Sequence, residues 1–441
     1  MADDLGYGDL GYNGQQNIKT PRLDELASRG MIFTNHYSGN TVCAPSRASL
    51  MTGWHQGHSP VRGNKDNQLP AGTRTVANVL QDAGYRTGMM GKWGLGMPGT
   101  SGDPHKMGFD HYFGYLDQIH AHNFYPDHLL VDGDSLVLDN EIVRQTEGYA
   151  AGIGQASTNK KTYAHDLLIE DAMRFVRESE AAKEPFFLYV PSNIPHVNNE
   201  AHLVADHGME VPSLGIYSDT DWPAAEKGKA AMITLLDKEV GRIVDLIDSL
   251  NLSDNTLIIF TSDNGPANVD VDPEFHDSNG DYKGIKRDLY EGGIHMPMFA
   301  VWPGKIAPGT RSDLLTAFWD YLPTFAAVAG AEIGEGAGTD GINFLPTLLG
   351  EEQPERHDFL YWEFSPDRHA ARAVRKGDWK LVHDLMVDEI ELYDLATDPS
   401  ETNDLAAEEP AVVEELLAIM DREHTFHPTY PLPYVDEAPT E

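Results

Sequence analysis

Cys43 is the only cysteine in a chain of 441 residues, and it stands in T-V-C-A-P-S-R-A-S-L-M-T-G (41–53), a few residues before Arg47. A single cysteine rules out an intramolecular disulfide framework and a thiolate zinc cage, which need several. Three readings stay open: a small buried apolar residue, a thiol nucleophile, and a cysteine converted chemically into another group. The second fits poorly. A cysteine-dependent phosphatase loop sets its arginine further from the thiol, so that loop amides and guanidinium wrap one phosphate.

Other residues able to do chemistry lie at both ends of the first 300 positions. Asp3 and Asp4 precede the glycine-rich L-G-Y-G-D-L-G, and Asp263-Asn264 follow an apolar run. Three aspartates and an asparagine form an all-oxygen donor set, which suits a hard cation such as calcium or magnesium. Cations stand in G-K-W-G-L-G (91–96, Lys92) and in Y-K-G-I-K-R-D-L-Y-E-G-G (282–293, Lys283, Lys286, Arg287). I-P-H (194–196) adds the imidazole of His196. Cations with a titratable ring are what a small oxyanion requires.

The elements that must position these groups read as α/β. P-F-F-L-Y-V (185–190) and N-T-L-I-I-F-T (255–261) are short apolar runs bounded by turn residues, the pattern of strands buried on both faces. Between them, 223–249 keeps one apolar stripe at helical spacing, with Pro223 at its start and Asn251 just beyond it. Strand, helix, strand predicts a βαβ unit, and 167–178 predicts a helix ahead of the first strand. In parallel α/β sheets ligands bind beyond the carboxyl ends of the strands, where these polar clusters fall. After about residue 350 the pattern changes to short strands at 359–364, 371–375, 379–383 and 389–395, then a helix over 410–423. Closely linked strands predict an antiparallel sheet. The expected division is 1–350 for a large α/β domain and 351–441 for a small α+β subdomain.

Composition narrows the partners. Apolar residues at 41% and aromatics at 9% are enough for a sizeable core. With 70 acidic against 32 basic residues the formal charge is −38, which argues against nucleic acid and against anionic membrane surfaces. No run approaches the ~18 apolar residues of a membrane helix. An anionic substrate would have to be drawn by a local group of cations.

The chain resembles the formylglycine-dependent sulfatase family, which has an alkaline-phosphatase-like α/β fold with a large mixed sheet between helices. The matching stretches are A-D-D-L-G-Y-G-D-L-G (2–11), C-A-P-S-R-A-S-L-M-T-G (43–53), G-K-W (91–93), F-T-S-D-N-G (260–265), K-R-D-L-Y-E-G-G (286–293) and L-Y-D-L-A-T-D-P-S-E (392–401). The resemblance implies that Cys43 is oxidised by a formylglycine-generating enzyme. The hydrated aldehyde would attack sulfur and later expel sulfate by collapsing back, splitting one hard step into two. It implies a cation, usually calcium, held by Asp3, Asp4, Asp263 and Asn264 with residue 43 beside them. Arg47 would orient the formylglycine, Lys92 and Lys286 would neutralise sulfate oxygens, and His196 would protonate the leaving alcohol.

Two departures stand out. Many relatives read G-K-W-H-L-G, with a histidine that contacts the formylglycine; Gly94 occupies its place here, and His120 or His122 is expected to take the role, with His58 next. His295 stands where arginine is common. The stretches 58–64 and 114–126 resemble those of sulfatases acting on sulfated sugars, so His58, Arg62, His120 and His122 are expected to bind a saccharide. The alternatives are a phosphonate or phosphodiester hydrolase of the same superfamily and an inactive sugar-binding relative. Finally, the family carries an apolar strand before A-D-D-L-G, whereas only Met1 precedes Ala2 here. The chain is therefore expected to start late, without a signal peptide, and a periplasmic or secreted location is the expectation.

Overall fold

The computed structural model describes residues 1–338, 340–365 and 369–436. Two sheets form the centre of the large domain. The first runs β5-β4-β3-β2-β6: β2 (Arg86–Lys92), β3 (His111–Tyr115), β4 (His128–Val131), β5 (Asp134–Val137) and β6 (Phe186–Tyr189). β2 pairs in parallel with β3 and β6, and β4 and β5 add an antiparallel edge. The second runs β7-β8-β1-β9: β1 (Met31–Phe33), β7 (Ile258–Phe260), β8 (Met298–Val301) and β9 (Thr310–Ser312). β8 is antiparallel to both its neighbours, so the sheet is mixed.

Helices cover both faces, and the side-chain alternation of a strand says why. Met90 packs with Leu168, Ala172 and Phe175 of α2 (Ala164–Ala182), while its neighbour Met89 packs on the opposite side with Ala44, Ala48 and Leu80. Ala44 and Ala48 belong to α1 (Cys43–Thr52), every residue of which is buried. The helix α3 (Ala224–Ser249) turns Met232, Ile233, Leu236 and Val244 into the core.

The predicted βαβ unit is present with one correction. β6 and β7 are not neighbours. Met1 and Ala2 lie between their ends: Ser192 N–H donates to the Met1 carbonyl, and Ala2 N–H donates to the Thr261 carbonyl, at 2.9 Å each. Ala2 bridges Ser262 in parallel. This seat carries Asp3 and Asp4 to the carboxyl ends of both strands.

The C-terminal part is a four-stranded antiparallel sheet, β10 (Leu360–Phe364), β11 (Ala371–Lys376), β12 (Trp379–Asp384) and β13 (Glu389–Asp394), with α4 (Pro410–Glu423) on one face. Tyr361, Val374 and Leu392 pack on Leu416, Ile419 and Met420 of α4. The alternate residues Trp362, Ala373 and Val382 pack on Tyr37 and Trp319 of the large domain. Among the described residues, no helix is long and apolar enough to cross a membrane.

Candidate active site

Six stretches of the chain, at Asp3–Asp4, Cys43, Lys92, His196, Asp263–Asn264 and Lys286, converge where β2, β6 and β7 end. In extended backbone Asp3 and Asp4 would point to opposite faces. Asp4 instead adopts a left-handed conformation, φ +63°, and both carboxylates reach the same cluster. Strain of this kind persists where surrounding contacts over-determine it. Here Asp4 N–H donates to Asp263 Oδ1 at 3.2 Å, and Asn264 Nδ2 donates to Asp4 Oδ1 at 2.7 Å. Cys43 opens α1, and its Sγ lies 3.4 Å from Asp3 Oδ1 and 3.5 Å from both Lys92 Nζ and Lys286 Nζ.

Charges balance locally. Lys92 pairs with Asp3 at 2.7 Å and Lys286 with Asp4 at 2.6 Å. Arg47 pairs with Asp263 at 2.7 Å and Asp3 at 3.2 Å, and also donates to the Lys92 carbonyl. Burial opposes ionisation of Asp3, yet Lys92 and the other cations outweigh it and hold its carboxyl well below the usual range. Burial and the charge of Asp3 raise Asp263 to about 6. Burial, then Asp3, push the Cys43 thiol up to about 12, so the thiol keeps its proton. A thiolate needs the opposite environment.

The donor set fits a hard cation. Asn264 Oδ1 is buried without a hydrogen-bond partner, on a carboxamide whose Nδ2 holds Asp4 Oδ1, and an orphaned buried acceptor next to a carboxylate is what a bound cation would satisfy. Asp3, Asp4, Cys43 and His196 each offer a donor atom, all within 4.8 Å of one another. His196 Nδ1–H donates to the Val197 carbonyl at 2.6 Å, which assigns the tautomer and leaves Nε2 facing Lys286 Nζ at 3.3 Å. Burial pushes this imidazole down to about 3.

A cavity of about 350 Å³ opens over these groups. Cys43, Lys92, Lys286, His196 and His122 line it, and Gln145 with residues 147–150 forms part of its wall. His122 stacks on His196 with ring centres 4.9 Å apart and pairs with Glu200 at 2.9 Å. The other three residues expected to bind saccharide stand elsewhere, each for a physical reason. His120 is buried against Tyr115 and His128. His58 donates toward Asp340 at 3.0 Å. Arg62 is 4% exposed and spends its guanidinium on Glu363, the Thr425 carbonyl and hydroxyl, and the Ser59 and Gly57 carbonyls. It ties the C-terminal sheet to the large domain.

Neither His120 nor His122 fills the space beside Gly94. The nearest atoms there belong to Gln118, a cavity-lining residue that sequence reasoning passed over. Its signal was the unusual glycine itself: Gly94 has φ +74°, where a side chain is strained. His295 is a structural residue, paired with Glu291 at 2.9 Å and stacked on Tyr37.

The sulfatase family model matches residues 1–331, and the model described as N-sulphoglucosamine sulphohydrolase, C-terminal, matches residues 282–424. The chain is 30% identical to the N-acetylgalactosamine-6-O-sulfatase of Bacteroides thetaiotaomicron, over 96% of this chain and 91% of that protein. It is 35% identical to arylsulfatase A of Homo sapiens, over 86% of this chain and 73% of that protein. Among solved structures it is similar to Ps i-CgsB in complex with k-i-k-neocarrahexaose, with TM-score 0.80 and 28% identity, covering 96% of this chain and 91% of that one.

Proposed function

The chain belongs to the sulfatase family, and from that premise we propose that this sulfuric ester hydrolase removes sulfate from a sulfated saccharide, with residue 43 as formylglycine and calcium, or else magnesium, at the four-oxygen site. The observation that carries the proposal is the convergence of Lys92 and Lys286 at 3.5 Å from Cys43 Sγ under an open cavity. The aldehyde made from Cys43 would supply the nucleophilic oxygen once hydrated, and the cation would polarise the sulfate.

The chain's own residues do the rest. Lys92 and Lys286 bind the sulfate oxygens, in a buried setting where each charge acts strongly. Arg47 acts at one remove: by gripping Asp263 and Asp3 it fixes the acidic wall against which residue 43 stands. His196 Nε2, held 3.3 Å from Lys286 Nζ, lines the cavity, where it can give a proton to the leaving oxygen once the substrate's charge favours the imidazolium. An incoming anion offsets the burial that keeps this imidazole neutral, so substrate binding itself prepares the acid. Cys43 is 1% exposed, so a formylglycine-generating enzyme must reach it before the chain closes.

The first relative's name makes N-acetylgalactosamine 6-sulfate the first saccharide to try. The test compares its desulfation with hydrolysis of 4-nitrophenyl sulfate and of an aryl phosphonate. Calcium-dependent release of sulfate, with little phosphonate turnover, is expected. Faster phosphonate hydrolysis would transfer the chain to the phosphonate-hydrolysing branch of the superfamily.

A further inference from the structure

Gln118 is 5% exposed, lines the cavity with Cys43, Lys92 and Lys286, and has no hydrogen-bond partner for either Nε2 or Oε1. Its position is fixed by backbone pairing: Trp93 N–H donates to the Tyr115 carbonyl and Gly94 N–H to the Leu116 carbonyl, which sets the 116–118 turn against residue 94. A Cβ on Gly94 would lie 1.9 Å from Gln118 Nε2. The two positions thus exchange volume. Residue 94 carries no side chain, and the carboxamide of Gln118 stands in the space such a side chain would take.

A buried carboxamide with both ends unpaired is costly, and proteins keep such groups where a ligand completes them. The carboxamide makes a two-sided demand. Its N–H groups need an acceptor, which a sulfate oxygen supplies; its oxygen needs a donor, which sulfate lacks and a hydroxyl of the sugar supplies. We propose that Gln118 is a substrate-binding residue that reads a sulfate ester together with a neighbouring hydroxyl, donating to one and accepting from the other. This inference rests on the sulfatase reading above and adds the requirement for a donor beside the ester. It also accounts for a site built without a side chain at residue 94: the contact to the oxyanion comes from a neutral amide across the turn. Discrimination of this kind is strong, because a ligand lacking one partner leaves a buried polar atom unpaired.

The test uses Gln118→Met, which keeps the volume and removes both polar atoms, and Gln118→Glu, which removes the donors and adds a charge. Inorganic sulfate is titrated calorimetrically into the full chain with Cys43 unconverted and calcium present. In parallel, kcat/KM is measured on converted protein with 4-nitrophenyl sulfate and N-acetylgalactosamine 6-sulfate. We expect Gln118→Met to weaken sulfate at least about tenfold, with an unchanged or higher Tm because no native hydrogen bond is lost. Gln118→Glu should lose more. The kcat/KM loss in Gln118→Met should be larger for the saccharide, which offers a hydroxyl, than for the aryl sulfate. A lowered Tm with sulfate affinity intact would make Gln118 structural and overturn the proposal; equal losses on both substrates would overturn its hydroxyl half. If converted wild-type protein hydrolyses neither compound, the sulfatase reading fails, and the calorimetric comparison alone decides whether Gln118 binds the oxyanion.

Discussion

Two buried charge clusters can be set side by side. Around Cys43, three carboxylates (Asp3, Asp4, Asp263) meet three cations (Arg47, Lys92, Lys286). Between the large domain and the C-terminal sheet, Lys380 bridges Glu291 at 2.8 Å and Glu401 at 2.9 Å, with His295 on the other oxygen of Glu291. Both are buried and set carboxylates against cations. Each holds one acidic residue in the left-handed region, Asp4 and Glu401. Only the first faces the cavity and leaves Asn264 Oδ1 and, nearby, the Gln118 carboxamide without partners, whereas the leftover oxygen of the second, Glu401 Oε1, lies 2.9 Å from Lys380 Nζ. A network whose leftover oxygen rests on its own cation joins parts of the fold, whereas one that leaves neutral amide groups unpaired beside a cavity is arranged for something that arrives later.

Substitutions should separate the two sharply. Cys43→Ala should lower turnover by at least about 10⁴-fold, measured on 4-nitrophenyl sulfate, and leave Tm nearly unchanged. Lys286→Met should cost about 10²–10³-fold in kcat/KM, because it removes a cationic contact to the sulfate. Lys380→Met should do the reverse. It strands Glu291 and Glu401, so unfolding free energy should fall by about 3–5 kcal/mol while kcat of the folded fraction stays near wild type. If Lys380→Met abolished catalysis without lowering Tm, the division between the clusters would be wrong. Arg62→Met belongs with Lys380: it should destabilise by several kcal/mol, since Glu363 Oε1 loses its cation and only Oε2 keeps Tyr361 and His424, and leave KM unchanged. A raised KM would return Arg62 to the saccharide.

The smallest effect expected concerns His58. Its hydrogen bond to Asp340 raises its pKa above the usual 6.5. A group raised on folding stabilises below its unfolded pKa, and that contribution is lost as pH rises through the folded value. Wild-type Tm should therefore fall more than that of Asp340→Asn between mildly acidic and mildly alkaline pH, by differential scanning. Parallel curves would remove the pair from the stability account.

Sequence legibility followed the same division. Strongly periodic segments were readable: the helix expected at 223–249 is Ala224–Ser249, the one at 410–423 is Pro410–Glu423, and the four C-terminal strands fall where alternation placed them. The helix at 167–178 extends to Ala164–Ala182, because its first and last turns are too polar to show the stripe. Short strands such as Thr310–Ser312 were missed, being too brief to show a period. Within the site, motif residues were legible and came together: Asp3, Asp4, Cys43, Arg47, Lys92, His196, Asp263, Asn264 and Lys286. Arg62, His58 and His120 were misplaced, because a histidine or arginine in a motif-rich loop reads the same whether it faces a cavity or a carboxylate buried behind it. Gln118 was missed for the converse reason: its one signal is the side chain that Gly94 lacks, and the relation between those two loops is displayed by no single stretch.

The central claim is that Cys43 is the source of the nucleophile. Its most direct test is peptide mass spectrometry across 41–53 in protein samples of graded activity, read against turnover in each. The account predicts that activity rises in proportion to the fraction of Cys43 carrying the thiol-to-aldehyde mass loss, and vanishes where only cysteine is found. Full turnover from protein whose Cys43 is entirely unmodified would contradict it.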